Sequence, residues 1–139
     1  MKTLKSILLG LALTIAFTAA KADGKPTKMD VLNIFMDAAA HGKTEKLEAV
    51  LDNDLEYEIQ RGGNTIKTNK KTALDFFKAG QNVEQACKCS STTLEDNGTF
   101  MVVKVEMKYD TYIRINVVTI KNTGSSWKIT KVNTSVANA

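Results

Sequence analysis

The chain has 139 residues, 19 basic against 15 acidic, and two cysteines, so it is long enough for one domain with its own core but too poor in cysteine for a disulfide framework. Three basic residues, Lys2, Lys5 and Lys21, fall in the first 22 positions, and without them the balance is 16 against 15. A domain so close to neutrality lacks the dense positive field that a phosphate backbone requires, which argues against nucleic acid as a partner.

The first residues read as an export signal. Lys2 and Lys5 open it, Ile7 to Ala20 is an uncharged apolar run, and Ala20-Lys21-Ala22 puts small residues where a signal peptidase reads. The run is shorter than the roughly 20 residues of a membrane span, and no second apolar run follows. The expectation is cleavage near Ala22, which leaves a soluble domain over 23–139, periplasmic or secreted, with no membrane attachment.

Thr27 can cap a helix, with Asp30 placed to complete a capping box. Val31, Ile34, Phe35, Ala38 and Ala39 then recur at helical spacing, and Gly42 supplies the left-handed stop. Thr44 opens a shorter helix with Leu47, Val50 and Leu51 on its apolar edge. The period then changes. Leu55, Tyr57 and Ile59 alternate with Glu56, Glu58 and Gln60, as in a half-buried strand with the glutamates toward solvent. Arg61-Gly62-Gly63-Asn64 turns the chain into a short strand at Thr65–Thr68. Asn69 caps a third helix, in which Ala73, Leu74, Phe76 and Phe77 are expected inside.

Four strands follow: Gln85–Leu94, a hairpin at Asn97-Gly98 into Met101–Tyr109, a turn at Asp110-Thr111 into Tyr112–Lys121, and a last strand from Trp127. Hairpin-linked strands form an antiparallel sheet, and the three helices must cover one of its faces. The expected class is α+β in the order ααββαββββ. A cleft between the two layers is a common place for a ligand.

Three pieces of the chain resemble the nuclear transport factor 2-like superfamily, in its SnoaL-like and ketosteroid-isomerase-like branches. They are Phe35–Lys43 with Leu47, Val50 and Leu51; Ala73-Leu74-Asp75-Phe76-Phe77; and Gly124–Thr130, similar to a "G-x-W-x-I" hairpin. The resemblance implies a cone-shaped domain in which a strongly curved mixed or antiparallel sheet wraps three helices around a pocket, often dimeric through the sheet. It does not imply one chemistry, because the superfamily holds isomerases, dehydratases, cyclases and pocket proteins. Phe35 aligns where isomerase relatives carry a tyrosine, and Asn116 where they carry a carboxylic acid. The only histidine, His41, falls after the first helix, away from the family's His–Asp arrangement. No catalytic set is therefore assigned, and no cofactor is called for.

A two-residue turn at Asp110-Thr111 pairs Met107 with Arg114, Val105 with Asn116 and Val103 with Val118 on the inward face. Arg114 would then point a guanidinium into an apolar interior, where it needs an anionic partner. A one-residue change of loop length gives the opposite face, with Ile113, Ile115 and Val117 inside and Arg114 in solvent. With Arg114 inward, those three form an apolar outer patch suited to a homodimer. The candidate pocket residues are Phe35, Tyr57, Phe77, Val105, Met107, Arg114 and Asn116, for a small, largely apolar ligand with one acidic or polar group. A lyase or isomerase in the same pocket and a dimeric interaction module are the alternatives. The first would need an acid inside, for which Asp37, Asp54 and Glu58 are the nearest carboxylates. Cys87-Lys88-Cys89 falls short of the three or four ligands of a metal site and reads as a pair of buried or pocket-lining thiols.

Overall fold

The computed structural model describes residues 24–139, so the export signal expected over 1–22 lies outside the described residues. Helix α1 runs Lys28–His41. Thr27 accepts from the Asp30 amide and Asp30 returns the bond to the Thr27 amide, which completes the capping box. Gly42 ends the helix at φ +67°, and its amide donates to the Asp37 carbonyl. Val31, Leu32, Phe35, Ala38 and Ala40 are buried, so the helix sinks deeper than a single apolar stripe suggests.

Helix α2 is one turn, Leu47–Val50, and Thr44 does not cap it. Thr44 is buried, and its carbonyl accepts from the Leu47 amide at 3.2 Å. Strand β1 (Leu51–Arg61) starts directly after α2 and turns at Gly62 into β2 (Asn64–Thr68). Asn69 caps α3 (Lys70–Ala79) by accepting from the Thr72 amide at 3.0 Å. Ala73, Leu74 and Phe77 form its buried stripe, while Phe76, expected inside, is 57% exposed. At about 100° per residue, Phe77 falls between Ala73 and Leu74 around the helix, whereas Phe76 falls outside the arc that those three cover.

Strands β3 (Lys88–Asp96), β4 (Phe100–Lys108), β5 (Tyr112–Asn122) and β6 (Trp127–Asn138) follow. The six strands form one sheet in the order β2-β1-β6-β5-β4-β3. All neighbours are antiparallel except β1 and β6, which run parallel and make the sheet mixed. Register shifts at Thr93/Glu95, Thr119/Ile120 and Leu51/Glu56 interrupt the ladders, and such irregularities bend a sheet. The sheet curls without closing, and the chain adopts the expected α+β cone.

Across the two-residue turn, Met107 pairs with Arg114, Val105 with Asn116 and Val103 with Val118. The inward register is therefore the one adopted. Val103, Val105, Val118, Ile120, Ile129 and Val132 pack against Phe35 and Leu32 of α1. That packing fills the closed end of the cone. The other end stays open.

Candidate functional site

At the open end α1, α3 and the curled sheet enclose a cavity of about 410 Å³, a size common for small-molecule sites. Its wall takes Phe35 from α1, Phe77 from α3, Tyr57 from β1, Met107 from β4 and Arg114 with Asn116 from β5. Val105 does not reach it. Val105 faces the same side as Met107, but two residues nearer the closed end its side chain is fully packed in the core. Alternation fixes the face a residue takes, not its depth along the strand.

Three aromatic rings meet on one wall. Phe77 makes edge-to-face contacts with Phe35 at 6.0 Å and with Tyr57 at 6.2 Å between centroids. Beside them the interior carries a short polar chain. Asn116 lies opposite Thr134 in the β5–β6 ladder, and the parallel β1–β6 pairing sets Thr134 opposite Ile59, next to Tyr57. Thr134 Oγ1 lies 2.7 Å from Asn116 Oδ1 and 3.3 Å from the Tyr57 hydroxyl. An amide oxygen only accepts and a threonine has one hydroxyl proton, so Thr134 donates to Asn116 and accepts from Tyr57.

That chain fixes the Asn116 amide. Its Nδ2 group is left with one neighbour, the Met107 sulfur at 3.7 Å, although Asn116 is only 2% exposed. A thioether is a weak acceptor, and turning the amide over would set carbonyl lone pairs against sulfur lone pairs. One N–H points at that sulfur, which leaves the other for a guest. Burial, the largest effect, pushes the Tyr57 phenol above its usual pKa against the smaller lowering effect of the Arg114 charge, so it stays protonated and donates.

Arg114 stands between Met107 of β4 and Val136 of β6. Its guanidinium lies 5.8 Å from the centroid of the Tyr109 ring. Tyr109 is held in turn by stacking on Tyr112, 4.5 Å away at 14°, and by donating to Gln85 Oε1 at 2.9 Å. The ion pairs among the described residues belong to Lys28, His41, Lys67, Lys104 and Lys131, and no carboxylate meets Arg114. The guanidinium thus lines the cavity with no carboxylate beside it among the described residues.

Other candidates lie elsewhere. Cys87 and Cys89 are free, half-buried and off the cavity wall, and burial raises both thiol pKa values. His41 is exposed and pairs with Glu84 at 2.6 Å. Asp37 and Asp54 are exposed. Glu58 faces outward as expected but is less solvated than alternation implies. Lys67 and Lys131 approach it at 3.9 and 3.8 Å and Asn133 donates to it at 3.1 Å, leaving its side chain 13% exposed. No group of three His, Cys, Asp or Glu side chains able to hold a metal exists among the described residues. No helix among them is long and apolar enough to cross a membrane. Ile113, Ile115 and Val117 form a half-buried stripe on the outer sheet face.

Thr134, Gln85 and Val83 also line the cavity, and no local pattern in the sequence marks them. The loop carrying Val83 and Gln85 is tied down by α1: the Asn82 amide donates to Gly42 at 2.9 Å and the Gln85 amide to Ala40 at 2.8 Å.

A sequence profile of the family described as "Putative lumazine-binding" matches residues 26–133. The chain belongs to this family. Among curated proteins none matches it. Solved structures resemble this lumazine-binding family member in fold. An NTF2-like protein of unknown function from Silicibacter pomeroyi is 12% identical with a TM-score of 0.62, over 80% of this chain and 92% of that one. An NTF2-like protein from Cytophaga hutchinsonii is 19% identical with a TM-score of 0.61, over 78% and 94% of the two chains. An NTF2-like protein of unknown function in nutrient uptake from Rhodospirillum rubrum is 20% identical with a TM-score of 0.58, over 81% and 99%. The lumazine-binding family member is thus built on the nuclear transport factor 2-like cone.

Proposed function

We propose that this domain binds, without catalysis, a small and largely apolar molecule bearing one acidic or polar group. The observation that carries the reading is Arg114, a guanidinium on the cavity wall with no carboxylate beside it among the described residues. Arg114 and Asn116 take the polar end, and Phe35, Tyr57, Phe77 and Met107 enclose the body. The family's description suggests lumazine, a flat ring system with carbonyl acceptors, as one guest to try. The domain, residues 23–139, acts in this reading after export and removal of residues 1–22, in the periplasm or outside the cell.

The alternative, a lyase or isomerase in the same pocket, needs a group that takes up a proton near neutrality. The ionisable side chains on the wall are Tyr57, Arg61 and Arg114, a phenol whose pKa is raised and two permanent cations. They favour holding an anion over moving a proton. A second role, homodimer formation through the outer face, is supported by the Ile113, Ile115 and Val117 stripe.

Thermal unfolding with benzoate, hexanoate and lumazine tests the binding reading. A guest at a hundredfold excess over its Kd stabilises by about 2.7 kcal/mol, a rise of roughly 10 °C in Tm for a domain of this size. Arg114→Ala is expected to abolish the rise for the acids. If no guest shifts the wild type, the reading fails.

A further inference from the structure

Part of the cavity's mouth is apolar, next to the exposed Gln60 and Arg61 that also line it. Phe76, Val83 and Val136 all line the cavity yet are 57%, 51% and 59% exposed. A side chain that both lines a cavity and faces solvent stands at the opening. These three make up half of the large apolar side chains exposed among the described residues, the others being Met29, Ile66 and Leu94. They come from α3, the loop after it and β6, so only the fold brings them together. Scattered exposed apolar residues need no explanation, but three gathered at one opening do.

Inside, the polar groups select for an acceptor. The Asn116 amide oxygen accepts from Thr134, one of its N–H bonds meets a thioether sulfur, and the other is left to donate. Arg114 offers N–H donors alone and has no anion beside it among the described residues. A head group that accepts at two oxygens and donates nothing answers both. A carboxylate is such a head, an alcohol answers half of the demand, and an ammonium opposes it.

Resting on the binding reading above, we infer that the ligand is a single-chain amphiphilic carboxylate: its head lies between Arg114 and Asn116, and its hydrocarbon tail leaves the cavity across Phe76, Val83 and Val136. The tail covers the exposed rim, which accounts for apolar surface that the folded domain alone leaves in water. The cavity holds the first part of the chain and the rim the next, so affinity rises with length until the tail passes the rim.

Calorimetric titration of the mature protein with straight-chain alkanoates from butanoate to dodecanoate, kept below micelle formation, tests this. Each methylene that finds apolar wall or rim is expected to tighten binding about fourfold. Alkanols of equal length bind at least tenfold more weakly, and alkylamines give no heat. Phe76→Ser, at a half-exposed position where folding is little affected, flattens the slope among the longer homologues only. Binding of short and long acids with equal affinity, or an unchanged slope in Phe76→Ser, overturns the inference while the Arg114 site stands. Absence of heat with every carboxylate overturns both.

Discussion

Gly42 joins the fold to the site, and replacing it by alanine separates two physical effects. At φ +67° an alanine pays about 1–2 kcal/mol for the left-handed conformation. The new Cβ also meets three backbone atoms at 2.7 Å, Asn82 N, Val83 N and Gly80 O, which cannot swing aside as a flexible side chain can. Over-packing of this kind costs about 1–3 kcal/mol, so the expected loss is about 3 kcal/mol in all. Gly62 provides the control, because it has φ +57° and a Cβ placed there would find nothing within 4 Å. Gly62→Ala should lose only the conformational part, about 1 kcal/mol. In urea, with a slope of about 1.5 kcal/mol per molar, Gly42→Ala should lower the midpoint by roughly 2 M and Gly62→Ala by less than half of that. The clash pushes the Asn82–Gln85 segment off α1, so Gly42→Ala should also weaken any guest that touches Val83 or Gln85. Equal midpoints for the two variants would refute the close docking of that segment.

Two further outcomes follow from the site and the outer face. Burial holds the Tyr57 pKa above 10.0, so above pH 10 the unfolded chain loses this proton while the folded one keeps it, and stability falls as pH rises. Tyr57→Phe should show a shallower decline from pH 10 upward in denaturation series, the remaining slope coming from Cys87, Cys89 and Tyr109, whose pKa values are also raised. An identical slope would mean that the phenol is not desolvated. Light scattering should find a dimer that Ile115→Asp disperses, and a wild-type monomer at high concentration would count against the outer-face role.

The sheet half of the site is legible in the sequence because hairpins transmit register. The alternation of Met101, Val103, Val105 and Met107 names the inward face of β4, and the two-residue turn carries that face to Arg114 and Asn116. The loop-length alternative is a real competitor, since one extra residue reverses every side chain. Depth is not legible, which is why Val105 belongs to the core rather than to the cavity. Nor is Thr134, because its place beside Tyr57 comes from a parallel pairing of strands far apart in sequence, with no turn between them to read. Phe76 is misplaced by the sequence pattern because two adjacent phenylalanines look like one apolar cluster, whereas the narrow contact of α3 admits only Phe77.

The central claim is that Arg114 draws an acid into the cone. A crystal structure of the mature protein with benzoate tests it most directly. The account predicts the carboxylate within hydrogen-bond distance of the Arg114 guanidinium and the Asn116 Nδ2 group, with the ring among Phe35, Tyr57, Phe77 and Met107. Benzoate lodged outside the cavity, or inside with its carboxylate turned away from Arg114, would contradict it.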